Sequence, residues 1–350
     1  AVTGTNGKTT VTLMTAHILE TAGIKAKALG NVGIPLTSAV DALGDDKTDV
    51  FVIELSSFQL ETLSKRFIDA AVILNITPDH LDRYPSLEGY AAAKIGMEKN
   101  LKETGKLFVE NKCLKDFGKL FKERRYATYG YQPENYLYTD SQDIFHDGKQ
   151  VLKVSDLLAT GNTNVEQAKT VRCAPSSGRS HELENIMASY ALCSTFSISP
   201  EDFLIGFGSF QKPSHRIEFV KTVDGVDYFD DSKGTNIDAV IRAVEVLNGD
   251  IILIAGGVDK GFPYTTWIDA FGGKVKAICA IGQAKEKMKN DLEKAIPVTL
   301  FSGLDEAIVF ASSLAKSGDI VLLSPGCSSF DMFKDYVHRG LEFQRIVNGL

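Results

Sequence analysis

Five short apolar runs limit the possible folds of this 350-residue chain more than any other feature. They are rich in Val and Ile, and longer segments of helical character separate them. The runs are Val50–Ile53, Ala70–Leu74, Ile251–Ala255, Val275–Ile281 and Ile320–Leu323. Continuous apolar runs between helices indicate strands that are buried on both faces of a largely parallel sheet. The chain is therefore predicted to have an α/β fold.

The middle of the chain has a different character. Residues 106–170 are rich in Tyr, Asp and Gly, with short alternating pieces at 136–139 and 150–154. Alternation of this kind predicts a small antiparallel region, which we expect to be attached to the first domain. A helix is predicted to follow at about residues 181–193.

A proline-containing segment suggests a domain boundary. Residues 210–214 include Pro213 after a stretch that contains glycine, and the alternation of strands and helices restarts beyond it. At about 100–200 residues per domain, a chain of this length suggests two domains, or three small ones. We therefore expect one domain at residues 1–212 and a second at 213–350.

Composition and charge exclude several classes of protein. Hydrophobic residues make up 44% and charged residues 24% of the chain, which excludes a disordered chain, a coiled coil and a collagen. The net charge of −7 argues against non-specific nucleic-acid binding. No apolar run approaches the roughly 18–20 residues that cross a bilayer, and nothing resembles a secretory signal. Because the five cysteines are scattered without a CxxC pair, we expect reduced thiols and a cytoplasmic protein.

The sequence Gly4-Thr5-Asn6-Gly7-Lys8-Thr9-Thr10 is typical of a loop that binds nucleotide phosphates. Its glycines let the backbone turn so that N–H groups face phosphate oxygens. Lys8 can bridge the β- and γ-phosphates, and the Thr9 hydroxyl can ligate Mg²⁺. The match is imperfect, because Val2 stands where such loops usually have their first glycine. The alternative is a plain glycine turn with Thr9 capping a helix.

Polar side chains also follow two of the predicted strands. Glu54 ends the run Val50–Ile53, where a second Mg²⁺ ligand is expected beside a phosphate loop. Asp79 and His80 follow the run Ala70–Leu74 and could hold metal or polarise a substrate. Each signal is weak alone, because many strands end in an acid and a lone histidine in a loop is more often structural.

The start of the chain is unusual for a phosphate loop. Such a loop normally follows a buried strand, yet only Ala1-Val2-Thr3 precede Gly4. A strand of three residues is expected to be too short for the centre of a sheet. This suggests that the natural N-terminal part is missing from the chain.

Several segments, in order along the chain, resemble the Mur ligases of peptidoglycan synthesis. They are Gly4–Thr10, Glu54–Leu60, Asn75–Asp82, Asp231–Asn236 and Leu322–Phe333. The last segment narrows the resemblance to the members that add D-glutamate. The resemblance implies a central P-loop ATPase domain with a mostly parallel sheet, followed by a Rossmann-like C-terminal domain. It also implies an N-terminal UDP-binding domain, which we expect to be absent from this chain.

The resemblance implies an activity, its cofactors and its partners. Members of the family use ATP and Mg²⁺ to join an amino acid to a carboxylate through an acyl phosphate. For this chain the implied substrates are UDP-N-acetylmuramoyl-L-alanine and D-glutamate, with a monomer as the expected form. No nucleic-acid partner and no membrane insertion are implied.

The resemblance also implies roles for individual residues. Catalytic roles are implied for Lys8, His80 and Lys94, although Lys94 on sequence alone is an ordinary lysine on a helix surface. ATP contacts are implied for Gly4, Thr5, Asn6, Gly7, Lys8, Thr9, Thr10, Asn185, Arg216 and Asp231. Mg²⁺ ligation is implied for Thr9, Glu54, His80 and a carbamylated Lys94. Substrate binding is implied for Asn31, Lys233, Thr235, Lys260, Ser329, Phe330 and Tyr336. The chain departs from the family pattern at Glu182, where members often have asparagine, and around Gly256–Lys260.

Three other functions remain open at this stage. The first is another amide ligase of this type, such as a folylpolyglutamate synthase, which shares the phosphate loop. The second is a P-loop NTPase that only switches conformation. The third is a nucleotide-binding module without catalytic activity. The segment Ser324–Phe333 argues against the first, and a second Rossmann-like domain argues against the second.

Overall fold

The structure is a computed structural model, and the residues that it describes form two compact units. It describes residues 1–32, 35, 37, 49–81, 83–122, 126–160 and 181–350. Within that part of the chain, the first unit is drawn from residues 1–77, 86–162 and 174–212. The second unit is drawn from residues 78–85, 163–173 and 213–350.

A nine-stranded sheet forms the centre of the first unit. Its strands are β1 (Val2–Thr3), β2 (Ala26–Gly30), β3 (Val50–Glu54), β4 (Ile68–Ile73), β5 (Leu101–Glu110), β6 (Tyr126–Gly130), β7 (Leu137–Thr139), β8 (Asp143–His146) and β9 (Lys149–Lys153). Their order across the sheet is β2-β3-β1-β4-β5-β6-β7-β8-β9. Neighbouring strands from β2 to β7 are parallel, whereas β7, β8 and β9 pair antiparallel.

Helices of the first unit share one apolar core with this sheet. The described helices are α1 (Lys8–Thr21), α2 (Ser57–Thr62), α3 (Leu87–Ile95), α4 (Asn111–Phe117), α5 (Val154–Thr160), α6 (His181–Ser194) and α7 (Pro200–Ser209), with 3₁₀ turns at Gly96–Asn100 and Gly118–Leu120. Val11 of α1, Met187 of α6 and Phe203 of α7 belong to the same buried cluster. Gly206 lets α7 approach α1 closely, because a Cβ atom there would lie 2.9 Å from the Ile18 Cα.

The short first strand lies inside the sheet, which contradicts the expectation from its length. β1 pairs with β3 on one side and with β4 on the other. The Leu55 N–H donates to the Val2 carbonyl, and the Leu74 N–H donates to the Thr3 carbonyl, each at 2.9 Å. Two residues suffice because longer neighbours supply hydrogen bonds on both sides and Val2 is fully buried.

The second unit has a six-stranded sheet with helices on both faces. Its strands are β10 (Glu218–Val223), β11 (Val226–Asp230), β12 (Ile251–Gly256), β13 (Val275–Ile281), β14 (Val298–Leu300) and β15 (Ile320–Leu323), in the order β10-β11-β15-β12-β13-β14. Only the β10–β11 pair is antiparallel among these described strands. Its helices are α8 (Ile237–Val246), α9 (Thr266–Ala270), α10 (Lys285–Leu292), α11 (Leu304–Leu314) and α12 (Tyr336–Asn348).

Strand β12 shows why its sequence is apolar throughout. Leu253 packs into one core cluster with Val240 and Trp267, whereas Ile254 packs into another with Phe343. Successive side chains of a strand point to opposite faces, so a strand covered on both sides needs apolar residues at every position. In the part of the chain that is described, none of the helices could cross a membrane.

All five predicted strands are confirmed, and the predicted helix at 181–193 is α6. The antiparallel region is confirmed for β7 to β9, but its predicted start was wrong. Residues 106–110 belong to the parallel strand β5, where Leu107 pairs with Ala71 on one side and Tyr126 on the other. The apolar residues 107–109 are buried between these neighbours. Residues 161–170 of the predicted region lie outside the described part.

Candidate functional site

The predicted phosphate loop connects β1 to α1 in the first unit. Gly4 has φ 152° and Gly7 has φ 88°, and backbone with positive φ favours glycine. Gly7 directly precedes α1, so the first N–H groups of the helix open toward the loop. The Lys8 ammonium donates to the carbonyl oxygens of Gly4 (3.1 Å) and Thr5 (2.8 Å). The loop therefore places the Lys8 ammonium beside the N–H groups of a helix N-terminus, and both attract anions.

Asn75, just after β4, holds this loop in place by hydrogen bonds to Thr5 and Asn6. Its side-chain oxygen accepts a hydrogen bond from the Asn6 N–H (2.9 Å), and its side-chain nitrogen donates to the Asn6 carbonyl (3.1 Å). Its own carbonyl accepts from the Thr5 N–H at 2.7 Å. Sequence reasoning assigned no role to Asn75, although an amide at the carboxyl end of a buried strand beside β1 was a usable signal.

Two of the predicted residues, Thr9 and Asn31, contact a third, Glu54, at the end of β3. Glu54 is only 2% exposed, and the Thr9 hydroxyl donates to one of its carboxylate oxygens at 2.8 Å. The Asn31 side chain donates to the other oxygen at 3.0 Å. A hydroxyl and a carboxylate are the oxygen ligands that Mg²⁺ prefers, so the chemistry of Thr9 and Glu54 fits that ion.

Lys94 is buried, which corrects the expectation of a surface lysine. Its side chain on α3 is 1% exposed, and its ammonium donates to the Gly4 carbonyl at 2.7 Å. The same nitrogen lies 4.7 Å from the centre of the Tyr90 ring. Tyr90 and Ala91 are buried with it because this face of α3 packs inward. The lysine therefore contacts the phosphate loop directly.

Asn185 on α6 also reaches this loop. A Cβ atom added to Gly7 would clash with the Asn185 side-chain oxygen. The structure thus brings together, within the first unit, most of the predicted residues that precede residue 186. These residues are Gly4, Thr5, Asn6, Gly7, Lys8, Thr9, Thr10, Asn31, Glu54, Lys94 and Asn185.

His80 belongs to the second unit, with Asp79 and Lys260. The Lys260 ammonium donates to one Asp79 oxygen at 2.9 Å, and both side chains are largely buried. The His80 Nε2 lies 3.6 Å from the other Asp79 oxygen, and His80 has φ 54°. Lys260 is therefore paired with an acid in this structure, and the sequence did not predict that pair.

Asp231 is a buried acid that directly follows β11. It accepts hydrogen bonds from the Ser324 hydroxyl (2.6 Å) and the Ile217 N–H (3.3 Å). Burial raises its pKa to about 7, although the charge of Arg216 and these hydrogen bonds lower it. Arg216 and Asp231, both predicted to contact ATP, thus lie close enough to interact.

The predicted substrate residues of the second unit lie on neighbouring loops. The Lys233 ammonium lies 3.8 Å from the centre of the Tyr336 ring, and the Thr235 N–H donates to the Lys233 carbonyl at 3.0 Å. Ser329 is 2% exposed, whereas Phe330 beside it is 73% exposed. The structure therefore brings Lys233 and Tyr336 into contact, whereas the Phe330 side chain is mostly exposed to solvent.

His215 fixes the backbone that carries Arg216. Its Nδ1 lies 2.7 Å from an Asp230 oxygen, and its backbone N–H donates to Glu218 at 2.6 Å. The hydrogen bond with Asp230 raises the pKa of His215, against the effect of burial. Gln344 donates to the same Asp230 oxygen at 2.9 Å. Sequence reasoning missed Asp230, because its partners His215 and Gln344 lie far apart in the chain.

Comparison with known proteins gives two matches to domain families. Residues 2–193 match the Mur ligase middle domain, and residues 215–327 match the Mur ligase glutamate ligase domain.

Among curated relatives, two are named UDP-N-acetylmuramoylalanine--D-glutamate ligase. The one from Protochlamydia amoebophila (strain UWE25) is 50% identical over 346 residues, which are 99% of this chain and 73% of the relative. The one from Alkaliphilus metalliredigens (strain QYMF) is 36% identical over 365 residues, covering 100% of this chain and 74% of the relative.

Solved structures of low sequence identity share the fold. A MurF ligase from Thermotoga maritima in complex with ADP has a TM-score of 0.65 at 17% identity, covering 99% of this chain and 79% of that one. The folylpolyglutamate synthase of Mycobacterium tuberculosis complexed with ADP and AMPPCP has a TM-score of 0.70 at 13% identity, covering 99% and 90%. With the domain matches and the close relatives, these findings show that the chain belongs to the Mur ligase family.

Proposed function

We propose that this protein joins D-glutamate to UDP-N-acetylmuramoyl-L-alanine in an ATP-dependent reaction of peptidoglycan precursor synthesis. The observation that carries the proposal is the phosphate loop with Lys8 folded over it and Thr9 bonded to the buried Glu54. The 50% identity to a D-glutamate ligase along 99% of the chain supports the choice of substrates.

The reaction explains why the site needs these residue types. A carboxylate and an amine do not condense in water, because the carboxylate is a poor electrophile and hydroxide is a poor leaving group. Transfer of the γ-phosphoryl group of ATP to the carboxylate makes an acyl phosphate with a good leaving group. The amine of D-glutamate then attacks the acyl carbon, and the tetrahedral intermediate collapses to amide and phosphate.

Residues of the loop neutralise charge during phosphoryl transfer. The backbone N–H groups at the start of α1 and the Lys8 ammonium face the phosphate oxygens, so they stabilise negative charge on the group in transit. Thr9 and Glu54 would hold one Mg²⁺, and His80 would hold a second. When bound, Mg²⁺ supplies further positive charge to the phosphates.

Lys94 acts as a carbamate in this proposal. An ammonium cannot ligate a cation, whereas a carbamate offers oxygen ligands of negative charge. Carbamylation leaves one N–H on the same nitrogen, which can keep the hydrogen bond to the Gly4 carbonyl. The buried position beside the loop therefore suits the modified lysine.

The second unit supplies the amino-acid site. Lys233, Thr235, Ser329, Phe330 and Tyr336 contact substrate in this proposal, together with Lys260. Asp79 accepts one hydrogen bond from the Lys260 ammonium, which has three N–H donors and can therefore also donate to a carboxylate of D-glutamate.

The remaining assignments follow the same proposal. Residues 1–212 form the ATP-binding domain and residues 213–350 the amino-acid-binding domain. In this proposal Asn185, Arg216 and Asp231 contact ATP, and Asn31 binds the muramoyl substrate. The protein works as a monomer in the cytoplasm, where peptidoglycan precursors are made.

Phosphate release tests the proposal, measured on the protein as the cell produces it. The assay contains ATP, Mg²⁺ and UDP-N-acetylmuramoyl-L-alanine, with D-glutamate present, absent or replaced by L-glutamate. We expect sustained release only with D-glutamate. Phosphate release at the same rate with and without an amino acid would instead identify a P-loop ATPase switch.

A further inference from the structure

Within the second unit, a chain of hydrogen bonds runs through the buried side chain of Tyr264. The Tyr264 hydroxyl donates to one Asp259 oxygen at 2.9 Å and lies 3.1 Å from the Cys327 sulfur. The Lys287 ammonium donates to the other Asp259 oxygen at 2.8 Å. Tyr264 is 1% exposed and Cys327 is fully buried. Neither hydroxyl nor thiol can therefore exchange its partner for water without local opening.

The hydrogen bonds made by Cys327 and Tyr264 are both donated toward Asp259. Burial raises the pKa of Tyr264 well above its ordinary value and raises that of Cys327 to about 12, so both keep their hydrogen. Burial would also raise the pKa of Asp259, but hydrogen bonds from Lys287 and Tyr264 outweigh it and lower that pKa. Asp259 is thus a carboxylate that only accepts. Since each hydroxyl or thiol has one hydrogen, Cys327 donates to Tyr264 and Tyr264 donates to Asp259.

The two ends of this chain are next to two proposed substrate residues. Asp259 directly precedes Lys260 in the loop after β12, and Cys327 lies two residues before Ser329 in the loop after β15. Backbone hydrogen bonds also link the two segments: the Val258 N–H donates to the Ser328 carbonyl and the Gly256 N–H donates to the Pro325 carbonyl, each at 2.9 Å.

The loop that contains Cys327 is tied in turn to a third loop. The buried Arg339 guanidinium donates to the Cys327 carbonyl (3.2 Å) and to the Ser232 carbonyl (2.8 Å). Ser232 directly precedes Lys233, another proposed substrate residue. The hydrogen bonds of Tyr264 and Arg339 therefore connect the backbones that carry Lys260, Ser329 and Lys233.

We propose that Tyr264 is a positioning residue for the amino-acid site, where its two hydrogen bonds fix the loop of Lys260 relative to the loop of Ser329. A ligand with two carboxylates needs its cationic and hydroxyl partners at a set separation, since a charged hydrogen bond weakens quickly with poor geometry. This inference rests on the proposed function, and it deepens it: Tyr264 touches no substrate but sets the affinity for a dicarboxylic amino acid.

The test compares Tyr264→Phe with Tyr228→Phe. Both changes remove only a hydroxyl, and Tyr228 is a buried tyrosine of the same unit whose hydroxyl donates to Ser312 at 2.9 Å. In the ligase assay, we expect Tyr264→Phe to raise the D-glutamate KM about tenfold, the factor that about 1.4 kcal/mol gives. The KM of Tyr264→Phe for ATP should stay within about twofold of wild type. The KM values of Tyr228→Phe for ATP and for D-glutamate should also stay within about twofold of wild type.

A second pair of variants keeps the test decisive if Tyr264→Phe folds poorly. Cys327→Ser retains a donor to the Tyr264 oxygen, whereas Cys327→Ala removes it. We expect Cys327→Ala to raise the D-glutamate KM and Cys327→Ser to restore most of the loss. Thermal unfolding of each variant is measured alongside.

Two results would overturn the inference. One is a lower melting temperature in Tyr264→Phe with an unchanged D-glutamate KM, which would make Tyr264 merely structural. The other is an equal rise in the KM values for ATP and D-glutamate. If the wild-type protein shows no dependence on D-glutamate, the proposed function itself is wrong, and that outcome is recognised without any variant.

Discussion

Replacement of Gly7 by alanine should weaken ATP binding through Asn185. Gly7 lies in the phosphate loop with φ 88°, and the new Cβ atom would clash with the Asn185 side-chain oxygen and lie 3.2 Å from the Leu74 Cδ1. Leu74 packs in the core of the first unit, so the Asn185 side chain is the group that can move. In the proposed function Asn185 contacts ATP, and its displacement would remove that contact.

The expected magnitudes follow from two separate costs. A non-glycine residue with left-handed backbone costs about 1–2 kcal/mol, which should appear as a lower free energy of unfolding. Loss of one hydrogen bond from Asn185 to the nucleotide should cost a further 0.5–1.5 kcal/mol or so of binding energy. That range corresponds to a roughly 2- to 12-fold weaker affinity for a non-hydrolysable ATP analogue.

Gly23→Ala is the matched control, measured by calorimetric titration with the same analogue. Gly23 has φ 87°, almost the same as Gly7, but nothing lies within 4 Å of its added Cβ atom. It should lose similar unfolding free energy while binding the analogue normally. In an Asn185→Ala background, Gly7→Ala should cause little further loss of affinity, because the clashing atom is gone. Normal binding by Gly7→Ala, or equal weakening by Gly23→Ala, would refute the reasoning.

Three further changes have clear expected outcomes. Lys8→Ala should abolish phosphate release while circular dichroism stays like wild type, because the loop keeps its backbone donors; turnover at the wild-type rate would contradict its role. Lys94→Ala should be inactive and partly regain turnover with short carboxylates in the buffer, and full activity without them would exclude a carbamate. Asp231→Asn should flatten the pH dependence of stability. The pKa of Asp231 is raised from 3.8 to about 7, so the folded chain binds the proton more tightly than the unfolded chain. Its contribution to stability is therefore present below about pH 4 and lost as pH rises toward 7, and urea titrations over that range should show a steeper fall in wild type than in Asp231→Asn.

The strands could be predicted because a strand that is buried on both faces has apolar residues at successive positions. Ile251–Gly256 is apolar at every position since helices cover both sides of the second sheet. The same reasoning failed for Val2–Thr3, where the stability comes from neighbours on either side and not from the length of the strand. It also failed at residues 106–110, because local composition does not specify which strand a segment pairs with.

The site residues could be predicted where they are close together in the sequence. Consecutive residues determine the geometry of the loop Gly4–Thr10, and Glu54 ends an obvious strand. Lys94 could not be recognised as buried, because its position against Gly4 depends on residues 90 apart in the chain. No sequence pattern indicated a role for Tyr264, because Asp259 and Cys327 contact its hydroxyl only in the folded chain.

Transfer of an oxygen isotope tests the central proposal most directly. The carboxylate of the L-alanine in UDP-N-acetylmuramoyl-L-alanine is labelled with ¹⁸O, and the protein as the cell produces it turns over with ATP, Mg²⁺ and D-glutamate. An acyl phosphate places one carboxylate oxygen between carbon and phosphorus, and attack by the amine leaves that oxygen on phosphate. We predict one ¹⁸O atom in the inorganic phosphate for each amide formed, as measured by mass spectrometry. Amide formation with unlabelled phosphate, or phosphate release without amide, would contradict the proposed reaction.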